Sequence, residues 1–168
     1  MKYKNPWIEV REDQVIRPDG KDGIHGLVTQ TPGVTVLPLD ESGFVYLVKQ
    51  FRYALGHDSI EAPAGAVDEG EAVLETAQRE LREEVGITAT NWTDLGHLDP
   101  ATSVINASQH LFLAQELVFG EREVEGTEVL EMMKVPSEEA VSMVMDGRIT
   151  DSPTCVLILK AAQLLKRK

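Results

Sequence analysis

Cysteine is nearly absent from this sequence. Cys155 is alone among 168 residues, which excludes an internal disulfide and any cysteine-rich zinc site. Set between Thr154 and Val156-Leu157, it reads as part of an apolar helix face, a buried and inert thiol. No apolar run approaches the ~20 residues of a membrane span, and residues 1–6 lack the apolar stretch of a secretory signal. A cytoplasmic protein with no membrane partner is expected. Positive charge is scarce as well: 16 Lys and Arg stand against 28 Asp and Glu, a net charge of −12. Such a surface repels a nucleic-acid backbone, so nucleic acid is not an expected partner. A small phosphate ester can still bind an acidic protein if a divalent cation neutralises the site. There is no internal repeat and no low-complexity segment.

What is present suits one domain with a sizeable core. Trp7 to Val10 and Gln14 to Ile16 read as short strands, followed by the turn Arg17-Pro18-Asp19-Gly20 and a strand from Ile24 to Gln30. Pro32-Gly33 separates this unit, so residues 1–31 form an N-terminal β-arm and 32–168 the main domain. Val34 to Leu39 and Phe44 to Phe51, joined at Asp40-Glu41-Ser42-Gly43, predict a hairpin whose second strand is central. Ser59-Ile60-Glu61 is extended up to Pro63, and a helix runs from Glu71 to Val85, ended by Gly86. Strands are expected at Trp92–Leu98, His110–Leu117 and Val129–Val135. A helix capped by Ser137 runs to Asp146. A last one opens at Asp151-Ser152-Pro153 and ends with the basic tail Lys166-Arg167-Lys168, which complements its dipole. This order predicts an α+β fold with helices flanking a mixed sheet.

The chemistry concentrates in residues 65–87. Gly65-Ala66-Val67-Asp68-Glu69-Gly70-Glu71 is followed, after seven residues, by Arg79-Glu80-Leu81-Arg82-Glu83-Glu84-Val85-Gly86-Ile87. On a helix, Ala77, Leu81 and Val85 line one buried ridge. Glu80 and Glu84 fall one turn apart at its edge, with no basic partner on that face. Glu83 lies about 60° around from Glu80, beside Arg79 at i−4. Like charges at this spacing repel, and a helix selected for stability alone would alternate them. A solvated acidic face is the ordinary reading of such a run. The glycine loop and the spacing argue otherwise, since seven fixed residues coincide by chance about 10⁻⁸ times per start position. A hard divalent cation with oxygen ligands resolves the crowding.

The stretch resembles the Nudix box, Gly-x5-Glu-x7-Arg-Glu-U-x-Glu-Glu-x-Gly-U with U apolar, at every fixed position. The resemblance implies a Nudix fold, with the box as loop–helix–loop against a mixed sheet. It also implies Mg²⁺, with Mn²⁺ as its substitute, held by Glu80, Glu83 and Glu84 while Arg79 and Glu71 orient them. Metal would then polarise the phosphates and acidify an attacking water.

Glu61-Ala62-Pro63-Ala64-Gly65 resembles the Glu-x-Pro-Ala-Gly lead-in of ADP-ribose pyrophosphatases and related nucleoside diphosphate sugar hydrolases, which implies that the Ala64 carbonyl joins the metal shell. Gln50-Phe51-Arg52-Tyr53 resembles a segment of the same group whose arginine contacts substrate, implying substrate roles for Arg52 and Glu61; arginine is well shaped for bidentate phosphate contact. Glu128-Val129-Leu130-Glu131 resembles an acidic loop segment that supplies a metal-proximal general base, with Glu128 the first choice and Glu125 the second. Gly126 stands where relatives can carry the earlier of two glutamates, and Pro100 comes earlier than the proline that often marks ADP-ribose hydrolases. The arm at residues 1–31 resembles one exchanged between subunits, which implies a homodimer. The expected activity is Mg²⁺-dependent hydrolysis of ADP-ribose or a related nucleoside diphosphate sugar to a nucleoside monophosphate and a sugar phosphate. The alternatives are a Nudix hydrolase of dinucleotides or nucleoside triphosphates, and a non-catalytic sensing module.

Overall fold

The computed structural model describes residues 1–122 and 130–166. In chain order its elements are β1 (Tyr3–Lys4), β2 (Ile8–Ile16), β3 (Asp22–Gln30), β4 (Gly33–Pro38), β5 (Phe44–Arg52), β6 (His57–Glu61), β7 (Ala64–Ala66), α1 (Val73–Val85), β8 (Ile87–Leu98), β9 (Ile105–Asn106), β10 (Gln109–Phe119), β11 (Glu131–Pro136), α2 (Ser137–Met145) and α3 (Ser152–Leu165). The class is α+β, as the element order predicts.

The strands alternate apolar side chains between two cores, and this period of two creates the layers. Val34 and Val36 of β4, Tyr46 and Val48 of β5, and Phe112 and Ala114 of β10 pack beneath α1 through Ala77, Leu81 and Val85. Leu37, Val45, Leu47, Leu111 and Leu113 point the other way, onto Met143 of α2 and Leu157, Ile158 and Ala161 of α3. Strands are therefore sandwiched between α1 on one side and α2 with α3 on the other.

The strands of this layer belong to two sheets. One is mixed, in the order β7-β4-β10-β8, with β4 and β10 parallel; the other is antiparallel, in the order β11-β5-β6. The hairpin expected of 34–39 and 44–51 does not form. Only Leu39 and Val45 make a bridge across the turn. The reason is hydrogen-bond accounting: β4 pairs with β7 and β10 on its two edges, and β5 with β6 and β11. Asp40 closes the turn instead, its carboxylate accepting from the amides of Ser42 and Phe44.

Other boundaries move by local causes. The two short strands expected before Arg17 are one continuous β2, paired residue for residue with β3 from Ile8↔Gln30 to Ile16↔Asp22. The short β9, not foreseen, runs parallel to β3 at Val28↔Ile105. Helix α1 begins at Val73 rather than Glu71, with the Glu75 carboxylate accepting from the Ala72 amide. Ser137 is the first residue of α2 and gives no side-chain cap. Asp151 does cap α3, accepting from the Thr154 amide at 3.0 Å. Cys155 is half-buried, and burial together with the Asp151 charge raises its thiol pKa, consistent with an inert role. Among the described residues no helix is long and apolar enough to cross a membrane. Glu123, Glu125, Glu128, Val129, Arg167 and Lys168 lie outside the described residues.

Candidate active site

Helix α1 carries the acidic cluster because its other face is anchored. Ala77, Leu81 and Val85 are buried to within 3% of complete, which fixes the rotation of the helix. Gly86 ends it in the left-handed region at φ 67°, where its amide reaches the Arg82 carbonyl. With that ridge inward, Glu80 and Glu84 stand at the edge facing β7, while Glu83 pairs with Arg79 and Arg82.

Arg79 organises the carboxylates. Its Nε and Nη2 donate to Glu71 at 3.1 Å each, its Nη1 to Glu80 at 2.7 Å and to Glu83 at 3.1 Å, and its Nη2 also to the Ala66 carbonyl at 3.2 Å. The expectation that Glu80 has no basic partner is thus corrected. Neighbours in a helix do not face each other, but the long arginine side chain curls back and spreads its five donors over several acceptors. Glu71 also accepts from the Thr76 hydroxyl at 2.8 Å. The Arg79 guanidinium, aided by that hydroxyl, holds the Glu71 carboxyl well down, at about 2. The same contacts raise the Arg79 pKa.

Glu84, 7% exposed, accepts from the Ala64 amide at 3.1 Å. Its carbonyl accepts from Arg122 Nε at 2.7 Å, and the same guanidinium donates to the Leu130 carbonyl at 3.2 Å through both Nη atoms. Arg122 thereby ties the end of α1 to the two residues that flank 123–129. On β7, Gly65 stands directly beneath the Glu80 carboxylate, where a β-carbon would overlap both oxygens.

Arg52 and Glu61 meet across β5 and β6. Arg52 Nε donates to both carboxylate oxygens, at 3.0 and 3.2 Å, and Nη2 donates to Oε2. Burial alone would raise the Glu61 pKa; Arg52 and Ser59 reverse this and lower it. Arg52 is shifted up, first by its hydrogen bonds to Glu61 and also by the nearby charges of Glu84 and Asp151. Ala62, one residue on, donates its amide to the Thr154 hydroxyl of α3 at 2.9 Å. Asp151, Thr154 and Arg122 were not picked out from the sequence. In the sequence Asp151 and Thr154 show only as a helix start, and Arg122 only as one basic residue in an acidic stretch.

The donor set fits a hard divalent cation. Glu80, Glu83 and Glu84 offer only oxygens; Glu71, Glu80 and Glu83 share the guanidinium of Arg79, and Glu83 also pairs with Arg82. Among the described residues no three acidic, imidazole or thiol groups converge as they stand to enclose a metal, because the carboxylates turn to Arg79 and to the Ala64 amide. His97 and His110 pair with each other across β8 and β10, with ring centroids 5.8 Å apart. An apolar groove of about 440 Å³ between β4, α2 and α3 contains none of the sequence-predicted site residues.

Comparison with known proteins identifies the family. A family model described as NUDIX domain matches residues 29–151, and one described as nucleoside diphosphate sugar hydrolase N-terminal domain matches residues 1–28. The chain is 34% identical over 153 residues to an ADP-ribose pyrophosphatase of Bacillus subtilis, covering 90% of this chain and 83% of that protein. It is 36% identical over 146 residues to an ADP-ribose pyrophosphatase of Mycobacterium tuberculosis, covering 85% and 70%. The crystal structure of an ADP compounds hydrolase superposes with a TM-score of 0.84 at 21% identity, covering 98% of this chain and 89% of that one.

Proposed function

The chain belongs to the Nudix hydrolase family, and from that premise we propose that it hydrolyses the diphosphate of ADP-ribose or a related nucleoside diphosphate sugar in a Mg²⁺-dependent reaction. The observation that carries this reading is the docking of the Glu61–Gly65 lead-in against Glu80 and Glu84 of α1. Water adds to one phosphorus, the bridging P–O bond breaks, and a nucleoside monophosphate and a sugar phosphate leave.

Glu80, Glu83 and Glu84, with the Ala64 carbonyl, are the residues that would hold Mg²⁺, or Mn²⁺ in its place. Such an ion supplies charge neutralisation for the diphosphate and acidifies the attacking water. Arg79 orients Glu80 and Glu83 and ties them to Glu71. Glu61 clamps Arg52 through Nε and Nη2, so that the Nη1 edge of Arg52 is presented to a phosphate oxygen. Glu128, outside the described residues, is the proposed general base and a further metal ligand.

Residues 1–31 are proposed to act as an arm exchanged in a homodimer. Ile16 and Ile24 share one face of the β2–β3 ribbon and are 71% and 65% exposed, apolar surface that a second copy would cover. Light scattering coupled to gel filtration tests the dimer. The compartment proposed is the cytoplasm.

The activity is tested with a panel of nucleoside diphosphate sugars, dinucleotides and nucleoside triphosphates in the presence of Mg²⁺, using wild type and Glu84→Gln. Hydrolysis of the sugars, lost in Glu84→Gln, is expected. Turnover of triphosphates alone would sink the substrate assignment, and full activity in Glu84→Gln would sink the metal assignment.

A further inference from the structure

Ala62 is where the chain leaves one sheet for the other. Glu61 ends β6 in the antiparallel sheet, and Ala64 begins β7 in the mixed sheet. An amide at such a crossing has no ladder to join, and Ala62 is 1% exposed, so water does not serve it either. Thr154, 92 residues away on α3 and fully buried, accepts from this amide at 2.9 Å. The Thr154 hydroxyl in turn donates to the Asp151 carboxylate at 2.7 Å. Because its proton is committed to Asp151, the hydroxyl turns a lone pair towards Ala62.

The residues around Ala62 are each held from a different element. Arg52 of β5 holds Glu61, and the Val36 amide of β4 donates to the Pro63 carbonyl at 2.8 Å. Glu84 of α1 accepts from Ala64, and Glu80 covers Gly65. Thr154 ties the segment by a hydrogen bond to α3, on the opposite side of the layer from α1. It enters where Ala62, between the two strands, has no other partner for its amide among the described residues.

We infer that Thr154, oriented by Asp151, is a positioning residue that sets the placement of the Ala62–Gly65 segment against Glu80 and Glu84, and hence the geometry of the proposed metal shell. The inference rests on the functional reading above. The interaction is polar and directional, so it differs from the apolar packing that α3 contributes elsewhere. The hydroxyl is what matters, and serine retains it whereas valine, of nearly the same shape, does not.

The test compares wild type, Thr154→Val, Thr154→Ser and Asp151→Asn. One readout is Mn²⁺ affinity, from the free-ion electron paramagnetic resonance signal; the other is kcat and KM with a nucleoside diphosphate sugar. Thr154→Val is expected to weaken Mn²⁺ binding and lower kcat by about 10-fold or more, the range seen when a residue behind a metal ligand is lost. Its KM should change less than its kcat, and Thr154→Ser should recover most of both losses. Asp151→Asn keeps an acceptor but holds the hydroxyl less firmly, and should fall between. A purely structural role would lower the melting temperature and leave Mn²⁺ affinity and kcat at wild-type values, which would overturn the inference. Should Thr154→Val fail to fold, wild-type Mn²⁺ affinity and kcat in Asp151→Asn would overturn it equally. A wild type that neither binds Mn²⁺ nor hydrolyses any of the panel would bring down the functional reading, and the inference with it.

Discussion

Glu80 places its carboxylate directly over the α-carbon of Gly65, in the volume any side chain at that position would need. The backbone of Gly65 does not have the positive φ that would by itself demand glycine. Only the neighbour demands it, and that neighbour is the mobile end of a long side chain. Gly65→Ala is therefore expected to fold, with stability within about 1 kcal/mol of wild type, since Glu80 can swing aside. Activity should fall by about 10- to 100-fold, because the displaced carboxylate no longer addresses the metal site. Urea unfolding and steady-state kinetics on one preparation check both halves. A fully active Gly65→Ala would show that the position of Glu80 is immaterial.

Arg79 serves Glu71, Glu80 and Glu83 with one planar guanidinium. A lysine ammonium is a single point of charge and cannot span those three carboxylates. Arg79→Lys should lose about 10-fold or more in kcat. Arg79→Ala leaves Glu80 and Glu83 unoriented, so a divalent ion that binds among them should stabilise this variant less than it stabilises wild type. Melting temperatures measured with and without magnesium test this. Equal shifts in the two proteins would place the ion elsewhere.

The parts of this architecture legible in the sequence are those set by local periodicity. The Ala77–Leu81–Val85 ridge follows from a 3.6-residue repeat, and the end of α1 follows from Gly86. What pairs with what was much less legible. The segments holding Val34 and Val45 are apolar on both faces, so alternation could not reveal that they enter different sheets across one tight turn. Arg79 and Glu80 are adjacent, which on a helical wheel puts them apart; only the reach of the arginine side chain brings them together. The Thr154 bond to Ala62 spans 92 residues and carries no local pattern at all.

The Glu71 carboxyl is held at about 2, against an ordinary 4.5. Its depressed folded-state pKa means that the unfolded chain binds the extra proton first as pH falls. The stabilisation is therefore complete above about pH 4.5 and is lost as pH drops towards 2. Glu61, lowered by Arg52, acts in the same direction. Glu71→Gln should be less stable than wild type at neutral pH, and the gap should narrow steadily below pH 4.5. Urea denaturation across that range measures the gap. A difference that stays constant down to pH 2 would mean that the Arg79–Glu71 pairing contributes nothing through its charge.

Arg52 and Glu61 are unequally buried, with side-chain exposures of 43% and 8%. Removing the arginine leaves an inward carboxylate with Ser59 but no counter-ion, whereas removing the carboxylate charge leaves an arginine that water can still reach. Arg52→Ala is thus expected to destabilise the fold by about 1–3 kcal/mol, the cost of an unsatisfied buried polar group. Glu61→Gln, which keeps an acceptor for Nε, should cost less. Their kinetic effects should order the same way if Arg52 meets the phosphates. Arg52→Lys keeps the charge but loses the fork, and should raise KM for a nucleoside diphosphate sugar about 10-fold or more. Glu61→Gln should raise it less, since the guanidinium stays but is no longer locked. Denaturation and substrate-saturation curves for the three variants decide the matter. A KM unchanged in Arg52→Lys would leave Arg52 as no more than the counter-ion of Glu61.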